Sequence, residues 1–306
     1  MATGSDRYRR FSAHLRTVFG CRVQRVAVDA GMTCPNRDGT LGTGGCLYCD
    51  EAGSRAAYVA PEQPVREQVA RGVERMRRRY RAAKFLVYFQ PYTNTYGPVE
   101  RLRALYDEAL EHPDVAGLIV GTRADCLGPG VLDLLEAYHR RTYLWLELGL
   151  QSANPATLAW IGRGHGLEAF VEGARAARQR GLRVCAHLIL GLPTDQPEDD
   201  RRAVELLNGL GVDGVKLHAL YVTRDSRLGA LYEAAPFWLL AREEYVERAA
   251  DVLERLDPRV VVHRLTSDAD AERLLAPRWV LEKRAVVEEI EAALERRGTR
   301  QGSRFG

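Results

Sequence analysis

LEAFVEGARAARQRGLRVCAHLILGL, residues 167–192, is the stretch whose reading decides the fold. Its first half has the pattern of an amphipathic helix that stops at Gly181, a natural C-cap. Its second half, LRVCAHLILGL, is almost continuously apolar, as a strand covered on both faces must be. The same alternation extends in both directions. Upstream, RVQRVAVDAG from Arg22 reads as a short strand, 62–80 as a helix, KFLVYFQ (84–90) as a strand and 98–112 as a helix with Pro98 near its first turn. GLIVGTR (117–123) is the next strand, PGVLDLLEAYHRR the next helix, and TYLWLELGLQ (142–151) the strand after it. Downstream, 197–210 reads as helix, GVKLHALYV (214–222) as strand and 239–256 as helix. After Asp257 the pattern changes to a last strand and turn in VVVHRLTSDAD, then a helix over 277–298, then a short basic tail read as mobile.

Apolar strands alternating with amphipathic helices imply a parallel sheet covered by helices. About six such units favour an α/β barrel, complete or partial, with a doubly wound open sheet as the alternative. In either case ligands bind where the strands end. That rule directs attention to Gln90 onward, Gly121-Thr122-Arg123, Gln151-Ser152, Leu190-Gly191 and the Tyr221 region.

The loop after the first strand, CPNRDGTLGTGGCLYC (34–49), holds three of the six cysteines. No run of about 18 apolar residues suggests a membrane span, and the N-terminus lacks the apolar stretch of a secretory signal. A cytoplasmic location is therefore expected, where clustered thiols mean metal or catalysis more often than disulfides. Zinc asks for four ligands, so His14, Cys21 or Cys126 would have to join Cys34, Cys46 and Cys49. A catalytic thiol needs one activated cysteine. Three thiolates also suit an iron–sulfur cluster with one iron left open. Gly39, Gly42, Gly44 and Gly45 would let the backbone wrap a bulky core, and their amides could tune it.

Charge is uneven. Residues 1–90 carry 16 Lys/Arg against 8 Asp/Glu, although the whole chain is only +3. Arg75, Arg77, Arg78, Arg79, Arg81 and Lys84 crowd one helix end, Arg7, Arg9 and Arg10 the N-terminus, and Arg296, Arg297, Arg300 and Arg304 the C-terminus. Such patches suit a polyanion such as RNA; solvated helix faces and loose ends are the plainer reading.

Tyr48 before the last cysteine, and the loop as a whole, resemble the cluster loop of radical S-adenosylmethionine (SAM) enzymes. The first cysteine gap is eleven residues, longer than the usual three, as in the elongator-like branch of that superfamily. FSAHLRTVFG, DAGMTCPNRDGT, GGCLYC, YFQPYTNTY, GTRADC, LWLELGLQS, GRGH, CAHLILGLP, GVDGVKLHAL, HRLTSDA and RRGTRQGSRFG resemble the YhcC/YtqA family from about residue 8 to the C-terminus. The resemblance implies a partial (β/α)6 TIM-like barrel over 22–257, after an N-terminal segment (1–21) and before a C-terminal helical extension (258–306). It implies a 4Fe-4S cluster on Cys34, Cys46 and Cys49, and SAM beside the Tyr48 backbone. Gln90, Thr93 and Asn94 become candidates for the SAM amino group, and Thr122 and Asp125 for its ribose or methionine. Gln151, with Ser152 beside it, and Arg163 twelve residues on match the Gln and Arg that bind SAM in related oxidative coproporphyrinogen-type enzymes. A local cap is the plainer reading of Gln151-Ser152.

The same resemblance implies a one-electron donor such as flavodoxin or ferredoxin, and tRNA wobble uridine as substrate, its carboxymethylaminomethyl side chain becoming aminomethyl. A radical SAM enzyme acting on a small metabolite or peptide, and a non-catalytic metal-cluster RNA-binding protein, are the alternatives. His165, His187, Lys216 and His218 are expected on the same face or its walls without an assigned role, and Cys126 and Cys185 as small core residues, Cys126 with a possible redox role.

Overall fold

A computed structural model describes residues 7–53 and 55–306, so the first six residues of the expected N-terminal segment lie outside the described residues. Seven parallel strands form one curled sheet in the order β1-β2-β3-β4-β5-β6-β8: β1 (Val23–Val28), β2 (Lys84–Phe89), β3 (Val115–Thr122), β4 (Tyr143–Gln151), β5 (Arg183–Leu190), β6 (Gly214–Ala219) and β8 (Val261–Arg264). The order follows the chain, so the sheet is a half-barrel and not the doubly wound alternative, whose strand order reverses at a switch point. A small antiparallel pair joins β7 (Val222–Thr223) to β9 (Leu274–Ala276).

The central strands read as apolar runs because helices cover their outer side. Those helices are α2 (Val65–Tyr80), α3 (Val99–Leu110), α4 (Pro129–Arg141), α6 (Leu167–Gln179), α7 (Pro197–Leu210) and α9 (Arg242–Arg255). The main core lies between them and the sheet and includes Phe85, Val87, Phe89, Leu118, Val120, Leu146, Leu148, Tyr106 and Phe170. Alternate strand residues point inward. There a second cluster of Leu86, Tyr88, Ile119, Trp145, Cys185 and Val261 meets Phe11 and Leu15 of α1 (Phe11–Phe19). That helix, which the hydrophobic pattern did not single out, packs against β1 and β8, and the backbone bridge between Arg10 and Val262 fixes it to the sheet's last strand.

Two short helices also escape the pattern. They are α5 (Pro155–Trp160), capped by the Asn154 side chain, and α8 (Arg227–Ala234), capped by Ser226. The helix expected over 277–298 is a 3-10 turn at Arg278–Leu281 followed by α10 (Lys283–Arg296).

The tail expected to be mobile is docked. Gln301 is buried; its Nε2 donates to the carbonyls of Asp257 (2.7 Å) and Val260 (2.8 Å), and its Oε1 accepts from the Arg9 amide at 2.8 Å. A side chain that satisfies three buried backbone groups offsets the entropy that would free the tail. The terminal arginine clusters are likewise engaged internally: Arg7 with Glu295, Arg10 with Glu291, Arg297 with Glu247 and Glu254, and Arg304 with Asp251 and Glu254.

Candidate active site

The cysteine loop leaves the C-terminal end of β1 and lies over the strand ends. Cys46 is buried, and Cys34 and Cys49 are half-buried. Polar hydrogens are aimed at two of the sulfurs. Asn36 Nδ2 lies 3.5 Å and Arg163 Nη1 3.9 Å from Cys46 Sγ, and Arg37 Nη2 lies 3.2 Å from Cys49 Sγ. Burial and the neighbouring Cys46 push the Cys49 thiol up to about 11, and Arg37 pulls against them. Three thiols, two of them approached by cationic and amide donors, form a donor set of the kind that holds an iron–sulfur cluster and tunes it from outside. Their sulfurs do not all lie within 4.8 Å of one another; among the described residues the group that does is Glu147, Cys185 and His263, deep in the barrel. A four-iron core spreads its ligands wider than a single ion would.

The GRGH stretch clasps this loop. Asn36 Nδ2 donates to the carbonyls of Gly162 and Arg163, each at 2.9 Å. Gly164 has φ +75°, and a Cβ there would stand 2.2 Å from Asn36 Oδ1, so only glycine fits. The clasp leaves Arg163 reaching inward, where its Nη2 donates to the Gly149 carbonyl at 3.0 Å and its Nε is buried without a partner. Burial opposes the charge of Arg163, but the Tyr48 and Cys46 groups raise its affinity for the proton above that of an ordinary arginine. Arg123, the residue after β3, supports the clasp, giving Nη1 to the Arg163 carbonyl (2.8 Å) and a fork to Asp125 (2.9 and 2.7 Å).

The SAM candidates divide into two groups. Gln151 ends β4 with φ +72°, a left-handed conformation rare outside glycine and asparagine, and its amide lies beside Gly149 and Arg163. The Thr93 hydroxyl is buried without a partner, and its amide is tied to Thr33 in the cysteine loop at 3.2 Å. Gln90 is half-buried at the end of β2, its amide on the Val28 carbonyl. Tyr48 packs with Leu158 and Ile161 next to Cys46. Of these, the Thr93 hydroxyl is the group left with unused hydrogen-bonding capacity.

The others are spent on the scaffold. Asn94 Nδ2 donates to the carbonyls of Phe89, Pro91 and Gly121, leaving Oδ1 as its free atom. Thr122 pairs with Thr95 at 2.6 Å, Asp125 with Arg123, and the Ser152 hydroxyl with Asp195 at 2.9 Å. Burial, with Asp125 next, pushes the Cys126 thiol up to about 12; it is a half-buried protonated thiol beside the loop. Burial and Arg163 lower His165 to about 4. The sequence reading singled out neither Arg37 nor Asn36, and it reached Arg123 and Tyr92 only as members of the strand-end stretches; Tyr92, at φ +61°, lies under the Arg37 guanidinium.

His187, Lys216 and His218 face the barrel interior below the loop. Register places Gly149, His187 and Lys216 side by side on β4, β5 and β6. Lys216 Nζ lies 2.6 Å from Glu147 Oε2 and donates to the Tyr88 hydroxyl at 2.9 Å. His187 Nε2 and His263 Nδ1 meet the same carboxylate at 2.9 and 3.2 Å. Burial alone would protonate Glu147; Lys216, His187 and His263 overcome it and hold the carboxyl well below the usual range.

The chain matches the sequence profile of the Radical SAM superfamily over residues 38–207 and that of the Radical_SAM C-terminal domain over 212–296. YtqA of Bacillus subtilis (strain 168) is 38% identical over 299 residues, which cover 98% of this chain and 93% of that one. YhcC of Escherichia coli (strain K12) is 38% identical over 297 residues, covering 97% and 94%. Among solved structures, archaeal Methanocaldococcus infernus Elp3 with an N-terminal deletion superposes with a TM-score of 0.67 at 18% identity, over 91% of this chain and 64% of that one, a likeness of fold. No helix among the described residues is long and apolar enough to cross a membrane. The chain belongs to the radical SAM superfamily, as a relative of YtqA and YhcC, and is an enzyme whose chemistry uses a 4Fe-4S cluster and SAM.

Proposed function

We propose that the protein modifies the wobble uridine of tRNA, converting a carboxymethylaminomethyl side chain at carbon 5 into aminomethyl. When bound, the cluster and SAM supply a 5′-deoxyadenosyl radical, an abstractor strong enough for an unactivated carbon next to nitrogen. Cys34, Cys46 and Cys49 would hold the cluster. Arg163, Gln151 and Thr93 would hold SAM, with the Tyr48 backbone along its adenine and Gln90 at its amino group. Asn94, Thr122, Asp125 and Ser152 would act one step back, keeping the strand ends in place. An external one-electron donor of the flavodoxin or ferredoxin class is required by the chemistry.

The observation that carries the tRNA reading is the outer face of α2. Arg71, Arg75, Arg78 and Arg79 are exposed there, and among the described residues Arg71, Arg75 and Arg79 have no carboxylate partner. Arg75 instead lies over the Tyr58 ring, beside a cavity of about 220 Å³ lined by Arg71, Arg75 and Arg78. A ridge of unpaired guanidinium groups suits a phosphate backbone. The test is nucleoside mass spectrometry of tRNA incubated with reduced, SAM-loaded enzyme. Loss of carboxymethylaminomethyluridine with matching gain of aminomethyluridine supports the reading. Unchanged nucleosides alongside turnover on a peptide or metabolite would transfer the protein to another substrate class.

A further inference from the structure

The barrel interior holds more positive charge than it neutralises. Three cations reach into it from three strands: Arg25 on β1, Lys216 on β6 and Arg264 on β8. Lys216 is matched by Glu147 at 2.6 Å. Arg264 has Asp268 at a loose 3.7 Å. Among the described residues Arg25 has no ion pair: Glu147 acts on it only at longer range, its guanidinium lies 5.9 Å from the Phe11 ring, and its Nη1 is buried without a hydrogen-bond partner. β1 and β8 are the two edges of the half-barrel, and the charges of Arg25 and Arg264 on them repel each other.

The histidines do not add to this charge. Burial, then Lys216, lower His187 to about 4, and burial, then His187, hold His218 well below its usual value, so both are neutral at pH 7. With Nε2–H given to Glu147, the other ring nitrogen of His187 is an acceptor. His218, its ring 5.3 Å from that of His187, has a buried Nε2 with no partner. A cation with a buried, unbonded nitrogen, in the same interior as a neutral histidine whose Nε2 lacks a partner, costs stability unless a ligand completes it.

We propose that Arg25, flanked by Lys216 and Arg264, receives an anionic group of the substrate inside the half-barrel, and that His187 and His218 bond the neutral polar atoms next to it. The identity of that group as the carboxylate of the uridine side chain rests on the wobble-uridine reading above; anion recognition does not. The site then explains selectivity: the product, having lost its carboxylate, no longer pairs with Arg25 and leaves.

The test uses anaerobic holoenzyme, unreduced and saturated with SAM so that the SAM carboxylate is already seated and no turnover occurs. Calorimetry compares 5-carboxymethylaminomethyluridine, 5-aminomethyluridine, N-methylglycine and inorganic phosphate on wild type, Arg25→Gln and Arg25→Lys. Wild type should bind the carboxymethyl nucleoside roughly tenfold or more tighter than the aminomethyl one, the scale of a charged hydrogen bond. Arg25→Gln should bind the two alike, and Arg25→Lys should keep part of the preference. Binding of N-methylglycine or phosphate that depends on Arg25, with no nucleoside binding, upholds the anion site and removes the uridine reading. Phosphate bound more tightly than either carboxylate upholds the site and assigns it to the RNA backbone. A preference that survives in Arg25→Gln, or no anion bound better by wild type than by Arg25→Gln, overturns the proposal. Thermal melts guard against misfolding: without ligand, Arg25→Gln should melt above wild type, because it removes a cation whose buried Nη1 has no partner. A variant that melts lower and still responds to anions contradicts the assignment.

Discussion

Arg163 makes two contacts in different directions with one planar group, one nitrogen toward the Cys46 sulfur and another on the Gly149 carbonyl. A lysine has the charge but not the fork. Arg163→Lys should therefore weaken SAM binding by roughly tenfold to a hundredfold, the range of a lost charged hydrogen bond. Equilibrium dialysis of SAM checks this, provided iron content is unchanged. Glu147 is the other residue on which much converges. Glu147→Gln leaves Lys216 buried without its counter-charge and should cost about 3–5 kcal/mol in a urea melt.

The histidines around that carboxylate also set a pH dependence. His187 and His263 are lowered to about 4, mainly by burial, from an unfolded value near 6.5. Between those values the unfolded chain binds more protons than the folded one, so stability should fall as pH drops from about 6.5 toward 4. His187→Gln should flatten part of that slope; an unchanged slope would show that the other lowered histidines set it. At this scale the cysteines were legible because spacing within one loop is local. The hydroxyl of Ser152 was not, since the partner that consumes it, Asp195, lies 43 residues away.

Among elements, the clasp between the GRGH turn and the cysteine loop is the one on which the site's shape depends. Gly164→Ala places a methyl 2.2 Å from the Asn36 amide and forces φ +75° on a residue with a Cβ. The variant should fold, because the turn lies outside the core, but should retain less iron after reconstitution; full iron and full SAM affinity would contradict the role given to the clasp. The docked tail makes a similar prediction at the opposite end of the barrel. Gln301→Ala removes the partner of two buried carbonyls and should destabilise the fold by about 1–3 kcal/mol, with faster proteolysis at the C-terminus.

The strands were legible because helices cover one face and the barrel interior the other, which leaves uninterrupted apolar runs. α1 was not, because its nine residues bury only Phe11 and Leu15, too few to stand out as a period. The tail looked mobile because its arginines read as free charges, whereas their acidic partners sit on α9 and α10.

For the molecule as a whole, the half-barrel brings together a cysteine-rich loop at its mouth, a charged interior below it and a basic helix outside. Each follows from the parallel sheet, which delivers every strand end to one face. With Arg7, Arg10, Arg296, Arg297 and Arg304 engaged in internal ion pairs, the unpaired arginines of α2 are the ones the tRNA proposal calls on. Replacing Arg71, Arg75 and Arg79 by Gln should lower tRNA affinity and reduce the slope of log K against log salt by roughly two to three, as expected for the loss of about three phosphate contacts. The central claim, a radical enzyme whose substrate is tRNA, is tested most directly by 5′-deoxyadenosine production from SAM in anaerobically reconstituted, dithionite-reduced protein. The comparison is between wild type and Cys46→Ala, each with tRNA bearing carboxymethylaminomethyluridine, with unmodified tRNA, and with none. The account predicts cleavage in wild type, stimulated by the modified tRNA alone and absent in Cys46→Ala. Cleavage at one rate under all three conditions would contradict it.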